Sequence, residues 1–403
     1  MKAVMYGGGN IGRGFIGALL SQSGYEVTFI DVAEPVVKAL QEKNTYPVRY
    51  VSTEGYEDVW IKNVTAVNGN DAEAASDAIA NCDMMATAVG ARILKFIVPN
   101  IVAGLRKRWA AGGGPLNIII CENLMDANKV LEGMLKEQLT EAECKQFDET
   151  VGLVEASIGR MVPVQTEEMK DGEPMRVCVE RYGFLPVDKA AFKGGVPQIL
   201  NMVPCEPFDF YIKRKLYVHN MGHATCAYLG DLLGLTYIYQ SIAVAQVRVL
   251  VQNAMLESAM ALHKKYGADL YDLQMHITDL LGRFTNEALG DTCQRVGGDP
   301  ARKLGREDRL IGSASLALEQ GITPVYIALG AGAAMHQYLL ENEMEQTDAN
   351  ALKVLQEVSM LNADDKLTEM VLSYYQDICA GATLDELCAK AHQQKAASIS
   401  GVV

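Results

Sequence analysis

The segment Tyr6-Gly7-Gly8-Gly9-Asn10-Ile11-Gly12 restricts more than any other what this chain can fold into. The apolar run Lys2-Ala3-Val4-Met5-Tyr6 leads into it as a strand, and Arg13-Gly14-Phe15-Ile16-Gly17-Ala18-Leu19-Leu20 leaves it as a helix. In a strand, turn and helix of this order, glycine at Gly7, Gly9 and Gly12 serves a tight turn, close approach of backbone to a ligand, and close packing of helix on strand. The bare N–H groups around Asn10 and Ile11, at the positive end of a helix, then suit a pyrophosphate.

Asp31 closes the second strand-like run, Glu26-Ile30, 19 residues past Gly12. A carboxylate there accepts hydrogen bonds from an adenosine ribose and repels a 2′-phosphate, which favours NAD over NADP. Two other readings compete: FAD on the same fingerprint, and a plain glycine turn with Asp31 capping the next helix. Thr87-Ala88-Val89-Gly90 ends a further strand, where such a sheet opens its ligand crevice, so Thr87 and Val89 are candidates for the nicotinamide half. From pattern alone that segment is equally an ordinary strand-to-helix turn.

Short β-branched runs at Met84-Ala88, Asn117-Cys121 and Gly152-Ala156 alternate with helix-like stretches such as Ile11-Ser23 and Pro35-Glu42, the order of βαβ units. A further strand is expected near Met175-Tyr182. Beyond Pro197 the pattern turns to helical windows, including Ser241-Lys265 and Asp348-Met360. The expected fold class is α/β: a Rossmann-type, doubly wound parallel sheet over residues 1–195 and a mainly α-helical domain over residues 196–403. At 403 residues two cores are anticipated in any case. The segment from Lys390 to Val403, small and polar, is expected to fray.

A formal charge of −14 argues against nucleic acid or anionic lipid as partner and requires any anionic substrate to meet a local concentration of cations. Nine cysteines without a C-x-x-C, several in apolar runs, point away from zinc and disulfides toward a reducing compartment. With no signal-peptide pattern at the start, the expected location is the cytoplasm, and the apolar run Ile322–Leu340, which contains Pro324 and His336, reads as a buried helix. No metal site is expected. A self-contained two-domain chain is able to act as a monomer.

The stretch from Phe210 to His223 carries a titratable stripe: Lys215, Asn220 and His223. On an α-helix Asn220 would lie about 140° and His223 about 80° from Lys215, so one broad face presents all three. A buried lysine holds its proton loosely enough for acid–base work, and an amide can donate to a developing alkoxide. Composition alone reads the same stretch as a surface helix with solvated lysines and satisfied histidines.

Lys215-x4-Asn220-x2-His223 resembles the signature of the polyol-specific long-chain dehydrogenases, the mannitol dehydrogenase family. The runs Gly7 to Gly14, Thr87 to Gly90, Cys121-Glu122-Asn123 and Arg295-Val296-Gly297 resemble segments of that family in matching order. The resemblance implies a metal-independent, NAD-dependent hydride transfer between mannitol 1-phosphate and fructose 6-phosphate. It also implies Lys215 as general acid/base, Asn123 and Asn220 as polarisers of the carbonyl oxygen, and His223 as a positioner of substrate. One departure stands out: Ser157-Ile158-Gly159-Arg160-Met161-Val162-Pro163 has glycine where the family usually has aspartate before its arginine. The substrate is therefore less constrained than the reaction.

The phosphate of such a substrate needs the cations noted above, and the basic segment Arg295 to Arg309 offers Arg302 and Lys303. A loop whose cations pair with Asp299, Glu307 and Asp308 is the competing reading. Other functions that fit the sequence are reduction of another ketose or of a hexuronate such as fructuronate or tagaturonate, an unphosphorylated polyol dehydrogenase, and a catalytically silent NAD-binding protein.

Overall fold

Lys2–Tyr6 (β1) is buried from Ala3 onward, as a parallel strand covered on both faces must be. In the computed structural model, which describes residues 1–400, β1 lies between Glu26–Asp31 (β2) and a later strand. After β2 come Thr45–Ser52 (β3), Gly55–Lys62 (β4), Val64–Asn68 (β5), Met84–Thr87 (β6), Leu116–Ile120 (β7) and Val151–Glu155 (β8). The main sheet has six strands in the order β5-β2-β1-β6-β7-β8, all parallel. Chain order runs outward from β1 on one side, then returns to β6 on the other. That reversal opens a crevice beyond the carboxyl ends of the strands.

Register aligns those ends: Tyr6 pairs with Ile30 and with Thr87, and Thr87 with Ile120. Alternate residues of β1 enter opposite cores. Ala3 and Met5 pack with Phe15, Leu19, Leu20 and Phe29, whereas Val4 and Tyr6 pack with Ile97, Ile101 and Leu105 of the helix Leu94–Ala110. The expected doubly wound parallel sheet is thus present, with apolar layers on both faces.

The antiparallel hairpin β3–β4, joined by a parallel strand Val177–Val179 (β9), forms a second small sheet that the βαβ reading does not anticipate. Its alternation of Tyr46, Val48 and Tyr50 against intervening residues is a period-2 signal. Tyr46 is fully buried, meets Phe29 edge-on at 5.9 Å and donates to the Arg13 carbonyl, so the small sheet braces the glycine motif.

Leu185–Asp188 (β10) pairs in parallel with Met202–Cys205 (β11). This pairing corrects the domain boundary: residues 196–211 belong with the first unit, Met1–Tyr211, and the second begins at Ile212. The strand-to-strand hydrogen bonds of β11 hold the segment there, which a reading by helical windows overlooks.

The second unit is helical. Ala245–Tyr266, Leu270–Phe284, Val325–Glu341, Lys366–Cys379 and Leu384–Ser400 are its long elements, and Val325–Glu341 is buried along most of its length. The window expected as one helix from Ser241 is broken at Val244, whose ψ of 122° is extended. The last helix, Leu384–Ser400, corrects the expectation of fraying, since Lys390 bonds Ser373 and Asp377, and Lys395 bonds Glu257 and the Thr323 carbonyl. Residues 401–403 of that tail lie outside the described residues. Among the described residues no helix is long and apolar enough to cross a membrane, and no group of His, Cys, Asp or Glu is gathered to hold a metal.

Candidate active site

In the first unit the glycine motif departs from a regular helix. Asn10 and Ile11 start it, Gly12–Ile16 is wound as a π-helix in which the Gly17 N–H reaches back five residues to the Gly12 carbonyl, and Gly17–Gln22 continues as α-helix. Such single π-turns are frequent at functional sites. Two charged side chains hold the turn from behind. Buried Arg13 donates to the Gly8 carbonyl at 2.6 Å and to the Met175 carbonyl at 2.6 Å, and buried Arg160 donates to the Gly14 carbonyl at 2.9 Å.

The three motif glycines differ in what they exclude. A Cβ at Gly12 would lie 1.9 Å from the Gly7 oxygen, and one at Gly7, where φ is +102°, would lie 2.5 Å from the Ala88 oxygen. These two are required by the fold. Gly9, by contrast, is exposed and a Cβ there would meet nothing within 4 Å. Its lack of a side chain leaves room for something other than protein.

Asp31 does not cap the next helix, which begins after Ala33 without a side-chain cap. Its Oδ2 accepts the Gly8 N–H at 2.6 Å and its Oδ1 the Ala33 N–H at 2.8 Å, so the carboxylate ties the second strand to the glycine turn while staying partly exposed. Thr87 is fully buried at the end of β6, and its hydroxyl has no hydrogen-bond partner among the described residues. Val89 packs beside Gly7, and the Cys121 N–H donates to the Thr87 carbonyl, which places Asn123 just past the neighbouring strand end. The open side at Gly9, the orphaned Thr87 hydroxyl and the alignment of Gly7, Asp31, Thr87 and Val89 at one end of the sheet fit a dinucleotide.

In the second unit Lys215–Asn220 is a second π-wound segment, with the Met221 N–H reaching back to the Leu216 carbonyl. This corrects the α-helical spacing assumed from sequence. Winding from i to i+5 brings residues five apart toward one line, so Asn220 sits closer to the face of Lys215 than an α-helix would allow. Lys215 keeps partial solvent access, yet desolvation first and the Arg309 guanidinium second push its pKa down to about 8.

His223 follows on Met221–Leu232 and stacks on Phe284 with ring centroids 4.7 Å apart. Burial first, then Arg295, Arg283, Arg309 and Lys303, push its pKa down to about 3, so the ring is neutral at physiological pH. Its Nε2 lacks a hydrogen-bond partner among the described residues, the Asp291 carboxylate standing 3.7 Å away. Asp291 is itself ion-paired with Arg295.

Lys303 and Arg302 part company. Arg302 is half-exposed and donates to Asp299 at 2.9 Å. Lys303 is 3% exposed, and among the described residues no carboxylate stands within ion-pair distance of its ammonium. Desolvation, with Arg309 next, pushes its pKa down to about 8. The acidic chain therefore does gather cations around His223. Sequence reading missed Arg309, although it lies in the basic segment already singled out, and missed Phe284 and Asp291, which carry no local signal.

A dinucleotide cradle in one unit and a lysine tuned toward neutrality in the other define a dinucleotide-dependent dehydrogenase. Two family profiles, described as "Mannitol dehydrogenase Rossmann domain" and "Mannitol dehydrogenase C-terminal domain", match residues 1–201 and 208–395. The chain belongs to the mannitol dehydrogenase family. It is 37% identical over 380 residues to the mannitol-1-phosphate 5-dehydrogenase of Bacillus subtilis (strain 168), covering 92% of this chain and 99% of that protein.

Among solved structures it resembles a substrate-free D-sorbitol dehydrogenase, 15% identical with a TM-score of 0.77 over 96% of this chain and 94% of that one. It also resembles the mannitol 2-dehydrogenase of Pseudomonas fluorescens, solved with NAD and D-mannitol, 16% identical with a TM-score of 0.76 over 98% and 94% of the two chains. At those identities the likeness speaks for the fold.

Proposed function

We propose that the chain interconverts mannitol 1-phosphate and fructose 6-phosphate with NAD as cofactor. The observation that carries the reading is Lys215, held near a pKa of 8 on the π-wound segment that also bears Asn220. The full-length likeness to the B. subtilis enzyme supports the choice of substrate.

When bound, NADH supplies the hydride. The Gly7–Gly12 turn and its helix end hold the pyrophosphate, Asp31 receives the ribose, and Thr87 and Val89 border the nicotinamide half. Lys215 gives its proton to the ketone oxygen during reduction and takes it back during oxidation. Asn123 and Asn220 donate amide hydrogen bonds to that oxygen as charge develops on it. His223, neutral and with Nε2 unsatisfied, accepts a substrate hydroxyl. Lys303 receives the phosphate, with Arg302 and Arg309 the lesser contributors because Asp299 and Asp308 already engage them.

The same reading takes the chain as a cytoplasmic monomer without nucleic-acid partners. The test is NADH oxidation at neutral pH with fructose 6-phosphate beside fructose, fructuronate and tagaturonate, repeated with NADPH. Selective turnover of fructose 6-phosphate with NADH is the expected result. Preference for another ketose would retain the mechanism and reassign the substrate, with Gly159 the first residue to examine.

A further inference from the structure

The carboxylate of Glu122 lies between two strand ends and, among the described residues, is bonded only to backbone. Glu122 stands two residues past the end of β7 and is 7% exposed. Its Oε1 accepts the Val89 N–H at 3.0 Å and its Oε2 the Gly90 N–H at 2.7 Å. No cation stands within ion-pair distance of it among the described residues. A buried carboxyl group whose two oxygens each accept a peptide N–H fixes the orientation of both peptide groups.

Those peptide groups belong to the turn that leaves β6. Gly90 has a φ of +92°, a conformation open to glycine, and its carbonyl accepts the Ile93 N–H at 2.8 Å as the chain enters the helix Leu94–Ala110. On the near side of the turn, the Ala88 N–H is bonded to the Tyr6 carbonyl and the Thr87 carbonyl to the Cys121 N–H. Residues 87 and 88 are thus fixed by the sheet, whereas Val89 and Gly90 lie beyond it. Glu122 supplies the bonds that the sheet no longer can.

We propose that Glu122 is a positioning residue for the nicotinamide half of the cofactor, acting through the Val89–Gly90 turn and, as the immediate neighbour of Asn123, on the residue that meets the substrate carbonyl. The proposal rests on the reading that the first unit binds NAD. It separates the two halves of the dinucleotide: Gly9 and Asp31, which serve the pyrophosphate and adenosine side, make no hydrogen bond to Glu122.

Glu122→Gln is isosteric but places an amide NH2 against one of two backbone N–H donors, so one of the two bonds is lost and a donor is left buried. The decisive measurement is the affinity of the unliganded protein for two ligands, NADH by its fluorescence and ADP-ribose by displacement. ADP-ribose has the adenosine, pyrophosphate and second ribose but no nicotinamide. The expected result is a loss of NADH affinity of about tenfold or more with ADP-ribose within about twofold of the wild type. Equal losses for both ligands, or no loss for either, would overturn the proposal.

Glu122→Asp keeps the charge with a shorter reach, and is expected to lose less NADH affinity than the glutamine variant. Should the glutamine variant fail to fold, the same pair of titrations on the aspartate variant decides, with the same criterion of a loss confined to NADH. If the wild type bound neither ligand, the NAD reading itself would fall, which is a different result from any obtained by comparing the variants.

Discussion

Lys395, in the last helix, donates a 2.9 Å hydrogen bond to Glu257, whose carboxylate also accepts the N–H groups of Val325, Tyr326 and Ile327. Glu257 is 2% exposed and caps the buried helix Val325–Glu341 in place of a local side chain, since Pro324 offers none. Burial pushes its pKa up to about 7 even though Lys395 and the amides pull the other way.

Lys395→Ala would leave that carboxylate without its cation. Breaking a buried pair from one side costs about 3 kcal/mol, and for a unit of this size each kcal/mol moves the melting temperature by about 2–4 °C. The sign with pH follows from linkage. An acid whose folded pKa is raised above its unfolded value loses stability as pH climbs between the two, and without Lys395 the folded value rises further. The variant should therefore fall further behind the wild type at pH 8 than at pH 6, and thermal melts at both check this.

Gly9→Ala separates fold from ligand. A Cβ at Gly9 meets no protein atom within 4 Å, so the melting temperature should stay within about 2 °C of the wild type. If the pyrophosphate lies there, the methyl group holds it off the backbone, and NADH affinity drops about tenfold or more. Fluorescence titration reads the affinity. Unchanged binding would move the pyrophosphate away from Gly9.

Lys215 makes the two directions of reaction oppose each other in pH. Its pKa is depressed to about 8, so the ammonium needed for ketone reduction is lost as pH rises through 8, while the amine needed for alcohol oxidation appears over the same range. Reduction should decline and oxidation increase across pH 7 to 9. Lys215→Ala should lower kcat by about 10²- to 10⁴-fold in both directions and leave NADH affinity nearly intact. Rate–pH profiles with a single variant control test both statements.

Which parts were legible in the sequence has a physical pattern. Strands β1, β2, β6, β7 and β8 are apolar runs because both faces are covered, and in the glycine motif Gly12 is set against Gly7 only five residues away, so each announces itself locally. The β10–β11 pair does not: Leu185 and Met202 meet across a loop, and neither run has a period that marks it. The π-wound turns at Gly12–Ile16 and Lys215–Asn220 break the 3.6-residue period itself, so a helical wheel gives the right residues and the wrong angles. Arg309 was hidden differently. It stands among cations that look alike in sequence, where burial and the bond to Asp299 separate Lys303 from Arg302.

That separation makes Lys303 costly to the unliganded fold and useful to an anion. Lys303 is buried and among the described residues no carboxylate pairs with its ammonium, so the folded protein bears the cost of charging it, and its pKa lies near 8 instead of the ordinary 10.5. A depressed folded pKa means stability is complete above the unfolded value and is lost as pH falls through the folded one, so at pH 7 the unliganded wild type has already lost it. Lys303→Met keeps the volume and removes the charge. The unliganded variant should melt a few degrees higher at pH 7, with the gap narrowing as pH rises from about 8 toward 10.5. The same change should raise KM for fructose 6-phosphate about tenfold or more and leave NADH affinity alone, because only the phosphate loses its cation. Added inorganic phosphate should then raise the melting temperature of the wild type and not of the variant. Loss of turnover on fructose equal to that on fructose 6-phosphate would instead assign Lys303 to a hydroxyl of the sugar chain.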